Sequence, residues 1–129
     1  MLYRCDPSGN PRHLAVGVDH FNYKLRYEGM FGGVSQVTGK KFEFVNGYSN
    51  RFWGWGGEDD DMKRRLVDYG KYKLVRPDKQ LARFKMVPHL RKNETGNELN
   101  PSKTSLLENW KDRRMNDGYR QLEYMLVFF

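Results

Sequence analysis

The apolar positions switch between two periods along the chain, and each switch predicts an element. Residues 13–18 (His-Leu-Ala-Val-Gly-Val) and 31–37 are short apolar runs that predict strands. Residues 40–46 predict a short helix with Phe42 and Val45 inward, closed by the turn pair Asn46-Gly47. Met62, Leu66 and Tyr69 follow at spacings of four and three, one face of a helix with Gly70 as its C-cap. Residues 72–75 predict a strand ended by Arg76-Pro77, and 83–87 predict another. Residues 93–102 are polar and turn-rich and predict a loop. A helix is predicted over 102–116, with Leu106, Leu107 and Trp110 on one face and Gly118 beyond its end. Residues 119–129 predict a final strand ending in five apolar residues. Strands alternating with helices predict an α/β domain, and no internal repeat or low-complexity segment interrupts it.

Between the third and fourth of these blocks, 40–46 and 62–70, lies Trp53-Gly-Trp55-Gly56-Gly57-Glu58-Asp59-Asp60-Asp61. Glycines are costly to order, and four adjacent carboxylates repel one another. Acids are favoured on the first turn of a helix, near the positive end of its dipole. The stretch therefore predicts a Gly-rich loop entering an acidic helix N-terminus. It has the residues of a site that stacks a planar or sugar-like face on an aromatic ring beside a carboxylate. The alternative is a solvated acidic cap with two core tryptophans.

Composition narrows the choices. A 129-residue chain with 38% hydrophobic and 15% aromatic residues can build one domain with a real core. Net charge is +7, and Lys63–Lys92 holds 11 Lys or Arg against two acids. Such a stripe suits nucleic acid, anionic lipid or a phosphorylated ligand. Its charges are dispersed among apolar residues, which favours solvated faces over a nucleic-acid groove, and the acid cluster would repel phosphate. The N-terminus lacks the apolar core of a signal peptide, and no stretch has the length to span a bilayer. The single cysteine, Cys5, is either a free buried thiol or half of a disulfide. Met86 and His89, in Met-Val-Pro-His, are each ordinary when taken alone.

The stretch WGWGGEDDD resembles the signature of the β-1,4-galactosyltransferase family, inverting, manganese-dependent glycosyltransferases of the Golgi. Further landmarks stand in family order: Tyr3-Arg4-Cys5, Pro11-Arg12-His13, Phe31-Gly32-Gly33-Val34-Ser35, Asn46-Gly47, Arg76-Pro77 and Asn100-Pro101. The resemblance covers roughly residues 3 to 126. It implies a GT-A-type, Rossmann-like α/β domain that is incomplete at both ends, with 1–129 its C-terminal portion. It also implies transfer of galactose or N-acetylgalactosamine from a UDP-sugar to the 4-hydroxyl of a terminal N-acetylglucosamine-type acceptor. The alternative is a non-catalytic truncated relative that keeps an acceptor-binding surface.

The resemblance also implies roles for single residues. Asp59 matches the catalytic base, and Glu58 and Asp60 match residues that hydrogen-bond donor sugar and acceptor. Trp55 matches a tryptophan on a small closing loop, with Gly56 among its hinge glycines. Met30, Gly33 and Tyr27 match positions near the donor sugar. A small or flexible residue at Met30 implies that UDP-GalNAc serves at least as well as UDP-Gal. Lys103, Thr104 and Leu107 match the acceptor N-acetyl pocket. Met86 and His89 match two Mn2+ ligands; a third, in an Asp-x-Asp motif, has no match here. Cys5 matches half of a disulfide whose partner lies upstream. Residues 87–107 match a loop that orders on donor and metal binding, and within it Asn93-Glu94-Thr95 is a glycosylation sequon. The implied setting is the Golgi lumen, in a type II membrane protein whose anchor lies outside these residues. The implied partners are a UDP-sugar and a glycan acceptor of glycoprotein or glycolipid.

Overall fold

The computed structural model describes residues 8–87 and 100–125. The strands are shorter than the apolar runs that carry them. β1 (Arg12–His13) pairs antiparallel with β3 (Ser35–Gln36), His13 opposite Ser35. β2 (Gly17–Val18) pairs in parallel with β4 (Arg83–Phe84). The expected strand over 13–18 splits because Leu14 and Ala15 both donate to Val34 O, at 2.7 and 3.3 Å, while Val16 N turns back to Leu14 O at 2.9 Å. The same contacts confine the expected strand 31–37 to two paired residues. The expected strand 72–75 contributes one parallel bridge, Val75 beside Arg12. It is closed by His13 N to Val75 O at 3.0 Å and Val75 N to Pro11 O at 2.9 Å. β4 stops at Phe84, and the Met86 amide donates to Asp19 Oδ1 at 2.9 Å.

α1 (Gly39–Phe44) and α2 (Glu58–Arg64) stand where the periodicity puts them. α2 continues as a π-helical turn, Arg65–Tyr69, closed by Gly70 N to Arg65 O at 2.9 Å. Gly70 is the C-cap residue, yet its backbone is right-handed, and the left-handed residue is Lys71 at φ 57°. The Met62, Leu66 and Tyr69 face is the core face: Met62 and Leu66 are fully buried with Phe31 and Val45, and Val37, Phe42, Tyr69, Tyr72 and Leu74 pack around them. Burying a side chain of that size contributes about 1.5–3 kcal/mol. The predicted helix over 102–116 is two pieces, α3 (Lys103–Glu108) and α4 (Trp110–Arg113), broken at Asn109. Trp110 is the buried member of its face.

The expected strand over 119–129 is absent among the described residues. Tyr119–Gln121 is a 3-10 turn, and 122–125 have no regular structure. Asn46 accounts for this. Its carbonyl accepts from Tyr119 N and its Oδ1 from Arg120 N, both at 2.8 Å, so these amides are taken up outside any ladder. Gly118 allows the approach, since a Cβ there would lie 1.9 Å from Asn46 O.

Beneath α2 lies a buried ionic cluster. Arg65 Nε donates to Asp61 Oδ2 at 2.7 Å, and its Nη1 reaches the carbonyls of Asp117 at 2.7 Å and Gly47 at 3.2 Å. Arg113 bridges Asp61 and Asp117 from the other side. Ser49 Oγ and Asn50 N donate to the Asp117 carboxylate at 2.6 and 2.7 Å. Burial opposes ionisation of Asp117, but these donors and Arg113 outweigh it and hold its pKa below the ordinary carboxylate value. Paired charges and satisfied donors are what make burial of four ions tolerable. Asp61, last of the four acids, is thus an anchor for α2.

Candidate active site

Three segments converge on the N-terminus of α2. The first is the loop 52–57. Gly54, Gly56 and Gly57 have φ of 84°, 99° and 100°, the left-handed region that favours glycine. Gly57 is also hemmed in: a Cβ there would meet the Phe52 ring at 2.7 Å and Lys103 Cγ at 3.0 Å. The tryptophans point outward, Trp53 80% and Trp55 50% exposed. They are therefore not core residues, and the exposed ring of Trp55 stands one short loop away from the acids.

The acids themselves divide. Glu58 is exposed, Asp59 and Asp60 are half-buried, and Asp61 is fully buried in the ionic cluster. Asp59 lies against the second segment, Phe31-Gly32-Gly33. A Cβ on Gly32 would fall 2.2 Å from Asp59 Oδ2, so only a glycine leaves room for this carboxyl. Burial, then the charges of Asp60 and Glu58, push the Asp59 pKa up from its ordinary value. A carboxyl made more basic by burial and like charges is suited to accept a proton. On the other side Tyr27 Oη donates to Asp60 Oδ1 at 2.9 Å. Burial and that bond push the Tyr27 hydroxyl well above its ordinary pKa, so it remains a donor.

The third segment is α3. Asn100 N donates to Trp55 O at 3.3 Å, and Lys103 lays its stem across Gly56 and Gly57, its Nζ 3.4 Å from a Cβ built on Gly56. Arg64 Nη1 reaches back to Leu107 O. Thus Lys103 belongs to the site and Leu107 is tied to α2 through its carbonyl. Thr104 is exposed on α3 with no described contact to the acids. Directly ahead of the second segment stands Met30, half-buried, whose carbonyl accepts from Arg76 Nη2 at 2.9 Å. Gly33 has φ 87° and would bring a Cβ to 3.0 Å from that of Ala15.

The expected metal pair is half described. Met86 is exposed just beyond β4, with its thioether in reach of solvent, while His89 lies outside the described residues. Thioether with imidazole is a borderline-soft donor pair, compatible with a first-row transition ion. Among the described residues no three His, Cys, Asp or Glu gather as a metal cluster. Cys5 and the sequon Asn93-Glu94-Thr95 also lie outside the described residues, as does most of the expected ordering loop.

Some participants were not singled out by sequence. Gly32, rather than its neighbour Gly33, makes the contact with Asp59. Tyr48 lies near the acids: burial, then Asp59 and Glu58, raise its pKa against the opposing Ser35 hydroxyl. His13 and Arg76 support the Met30–Gly32 backbone. Both stand within the landmarks Pro11-Arg12-His13 and Arg76-Pro77, to which the resemblance attached no role at the site.

Comparison with known proteins places this geometry. A family model described as the N-terminal domain of galactosyltransferase matches residues 12–90. Human β-1,4-galactosyltransferase 3 is 43% identical over 98% of this chain and 31% of its own length. Human β-1,4-galactosyltransferase 4 is 41% identical over 98% and 35%. The chain spans about a third of the length of these curated relatives. Among solved structures, the catalytic domain of Drosophila β1,4-galactosyltransferase 7 in complex with xylobiose superposes with TM-score 0.70 at 24% identity, over 98% of this chain and 52% of that one. A mutant of that Drosophila enzyme with manganese, UDP-Gal and xylobiose gives TM-score 0.69 at 26% identity, with the same coverage. The GT-A-type α/β fold is thereby shown.

Proposed function

This chain belongs to the β-1,4-galactosyltransferase family, and from that premise we propose that its protein moves galactose or N-acetylgalactosamine from a UDP-sugar to the 4-hydroxyl of a terminal N-acetylglucosamine-type acceptor. The observation that carries the reading is the placement of Asp59: a carboxyl of raised pKa, wedged over Gly32 at the N-terminus of α2, at the end of the glycine loop that exposes Trp55.

In this mechanism Asp59 takes the proton of the acceptor hydroxyl as its oxygen bonds the anomeric carbon. The nucleoside diphosphate departs from the opposite face, so the configuration inverts. Glu58 and Asp60 face the acceptor and donor hydroxyls, and the Tyr27 bond fixes the Asp60 oxygen for that task. Trp55 offers a flat apolar face to a sugar ring. Lys103 presents a cation at the acceptor side, with Thr104 and Leu107 next to it on α3. Met86 and His89 would hold Mn2+, which when bound would supply positive charge to the diphosphate leaving group. The Drosophila relative crystallised with manganese and UDP-Gal supports that part of the reading.

Met30 bears on donor choice. Its half-buried, flexible side chain lacks a phenol hydroxyl and leaves room for an N-acetyl group. Assays of the purified full-length protein with UDP-Gal and UDP-GalNAc test both halves. Transfer lost in Asp59→Asn, at unchanged folding, supports the base assignment; transfer retained there refutes it. A strong preference of the wild type for UDP-Gal refutes the donor reading.

From the order of landmarks we propose that residues 1–129 are the C-terminal portion of the catalytic domain, whereas the matching family model is described as an N-terminal domain. The full-length reading frame decides between them: an Asp-x-Asp upstream of Tyr3 supports the C-terminal placement. Golgi residence through an anchor in another segment completes the proposal. No helix among the described residues is long and apolar enough to cross a membrane. Fractionation of cells expressing the full-length protein tests the location.

A further inference from the structure

His13 is fully buried yet touches no acid of the site, and Arg76 lies on a different segment from everything it holds. The two are nonetheless one unit. Val75 bridges to Arg12, and His13 N donates to Val75 O at 3.0 Å, so the backbone sets the two side chains adjacent. Arg76 Nε donates to His13 Nδ1 at 3.2 Å. With Nδ1 accepting, Nε2 carries the proton and donates to Gly32 O at 2.9 Å. The remaining edge of the guanidinium donates through Nη2 to Glu28 O at 2.6 Å and Met30 O at 2.9 Å. Three carbonyls within five residues are thus held by one fork and one imidazole. Burial and the Arg76 charge hold His13 below its ordinary pKa, against the pull of Gly32 O, so the ring stays neutral and the tautomer stays assigned at neutral pH.

What is held matters because of where it sits. Gly32 is the floor against which the Asp59 carboxyl packs, and Met30 is the residue proposed to face the donor sugar. We propose that His13 and Arg76 are positioning residues that set the Glu28–Gly32 backbone, and through it both the seat of Asp59 and the donor-sugar pocket. This deepens the galactosyltransferase reading and rests on it. Loss of the fork frees the Glu28 and Met30 carbonyls and unpins the His13 ring that holds the third, and lets the floor drift. Since a displacement near 1 Å at reacting atoms costs about 100-fold in rate, the effect belongs in kcat and in donor choice, with acceptor KM little changed.

The test uses the full-length protein with UDP-Gal, UDP-GalNAc and N-acetylglucosamine, alongside hydrogen exchange across residues 28–33. Arg76→Gln is expected to lower kcat about 10- to 100-fold, change the UDP-Gal to UDP-GalNAc ratio, and speed exchange of the Met30 amide, now bonded to Tyr27 O at 3.1 Å. His13→Leu is expected to behave alike. His13→Gln keeps an N–H for Gly32 O and is expected to restore most of the rate. Unchanged kcat and exchange in a folded Arg76→Gln protein would overturn the assignment. If Arg76→Gln does not fold, Arg76→Lys, which keeps the charge without the fork, carries the same readouts. A wild type inactive on every UDP-sugar would count against the function while leaving exchange to decide the positioning role.

Discussion

Gly32→Ala separates the seat of the base from the stability of the fold. The added methyl would lie 2.2 Å from Asp59 Oδ2, where ordinary van der Waals contact begins near 3.4 Å. One of the two must therefore yield by about 1 Å. Gly32 is not among the residues of positive φ, so alanine itself is unstrained there. The clashing atom is the far end of a rotatable side chain, and the cheapest response is for Asp59 to swing away. The stability cost is then small, within about 1 kcal/mol, in the range of substitutions that open no cavity and orphan no buried charge. The catalytic cost is not small. A base displaced by that distance loses about 100-fold in kcat/KM, approaching the 100- to 10,000-fold expected from removing a general base outright. Measurement of kcat/KM for transfer to N-acetylglucosamine, with the melting temperature of the same preparation, gives both terms. The double variant Gly32→Ala/Asp59→Asn closes the cycle. If Gly32 acts through Asp59, the double variant is no slower than Asp59→Asn alone, because the carboxylate it displaces is already gone. Additive losses, or wild-type activity in Gly32→Ala, would refute the reasoning.

Four other outcomes are expected. The acid limb of kcat/KM should lie above the ordinary aspartate range, since the pKa of Asp59 is raised and the base works only deprotonated; Asp60→Asn, by removing a neighbouring charge, should move that limb to lower pH. The same shift has the opposite sign for stability: folded Asp59 binds its proton more tightly than unfolded, so its contribution favours folding at low pH and is lost as pH rises through the raised pKa, which urea titrations of wild type and Asp59→Asn across that window can compare. Arg65→Met should cost about 3–5 kcal/mol by leaving Asp61 and Asp117 buried with one cation fewer, and unchanged chemical denaturation would contradict the anchoring role of the cluster. Tyr27→Phe removes one hydrogen bond to Asp60 and should lower kcat/KM about 2- to 10-fold, about 0.5–1.5 kcal/mol, without moving the melting temperature by more than a few degrees.

The residues readable from sequence were those whose role depends on local spacing. Met62, Leu66 and Tyr69 share a face because a helix of any origin puts them there, and their burial against Phe31 and Val45 follows from that face. The left-handed glycines ahead of Glu58 are local as well. The strands were misjudged for the opposite reason. An apolar run records burial, not pairing, and Leu14, Ala15 and Val34 are buried or half-buried while their hydrogen bonds form a turn. In its described part, 119–125, the final strand failed through one distant residue, since nothing near Tyr119 announces that Asn46, 73 positions earlier by their numbering, takes its amide. The site shows the same division. Glu58, Asp59 and Asp60 look equivalent in a row of acids, yet α2 turns each to a different environment: solvent, the Gly32 floor, and Tyr27. Asp61, one step further round, meets two guanidiniums and becomes part of the core. Four identical-looking carboxylates thus acquire distinct chemistry from the 100° rotation between successive helical residues. It follows that exchanging Asp59 and Asp61 for asparagine should give opposite phenotypes. Asp59→Asn does not lower the melting temperature while activity falls, and Asp61→Asn lowers the melting temperature first, leaving Arg65 and Arg113 to share one remaining carboxylate. Identical effects on both properties from the two variants would show that helix geometry does not separate them.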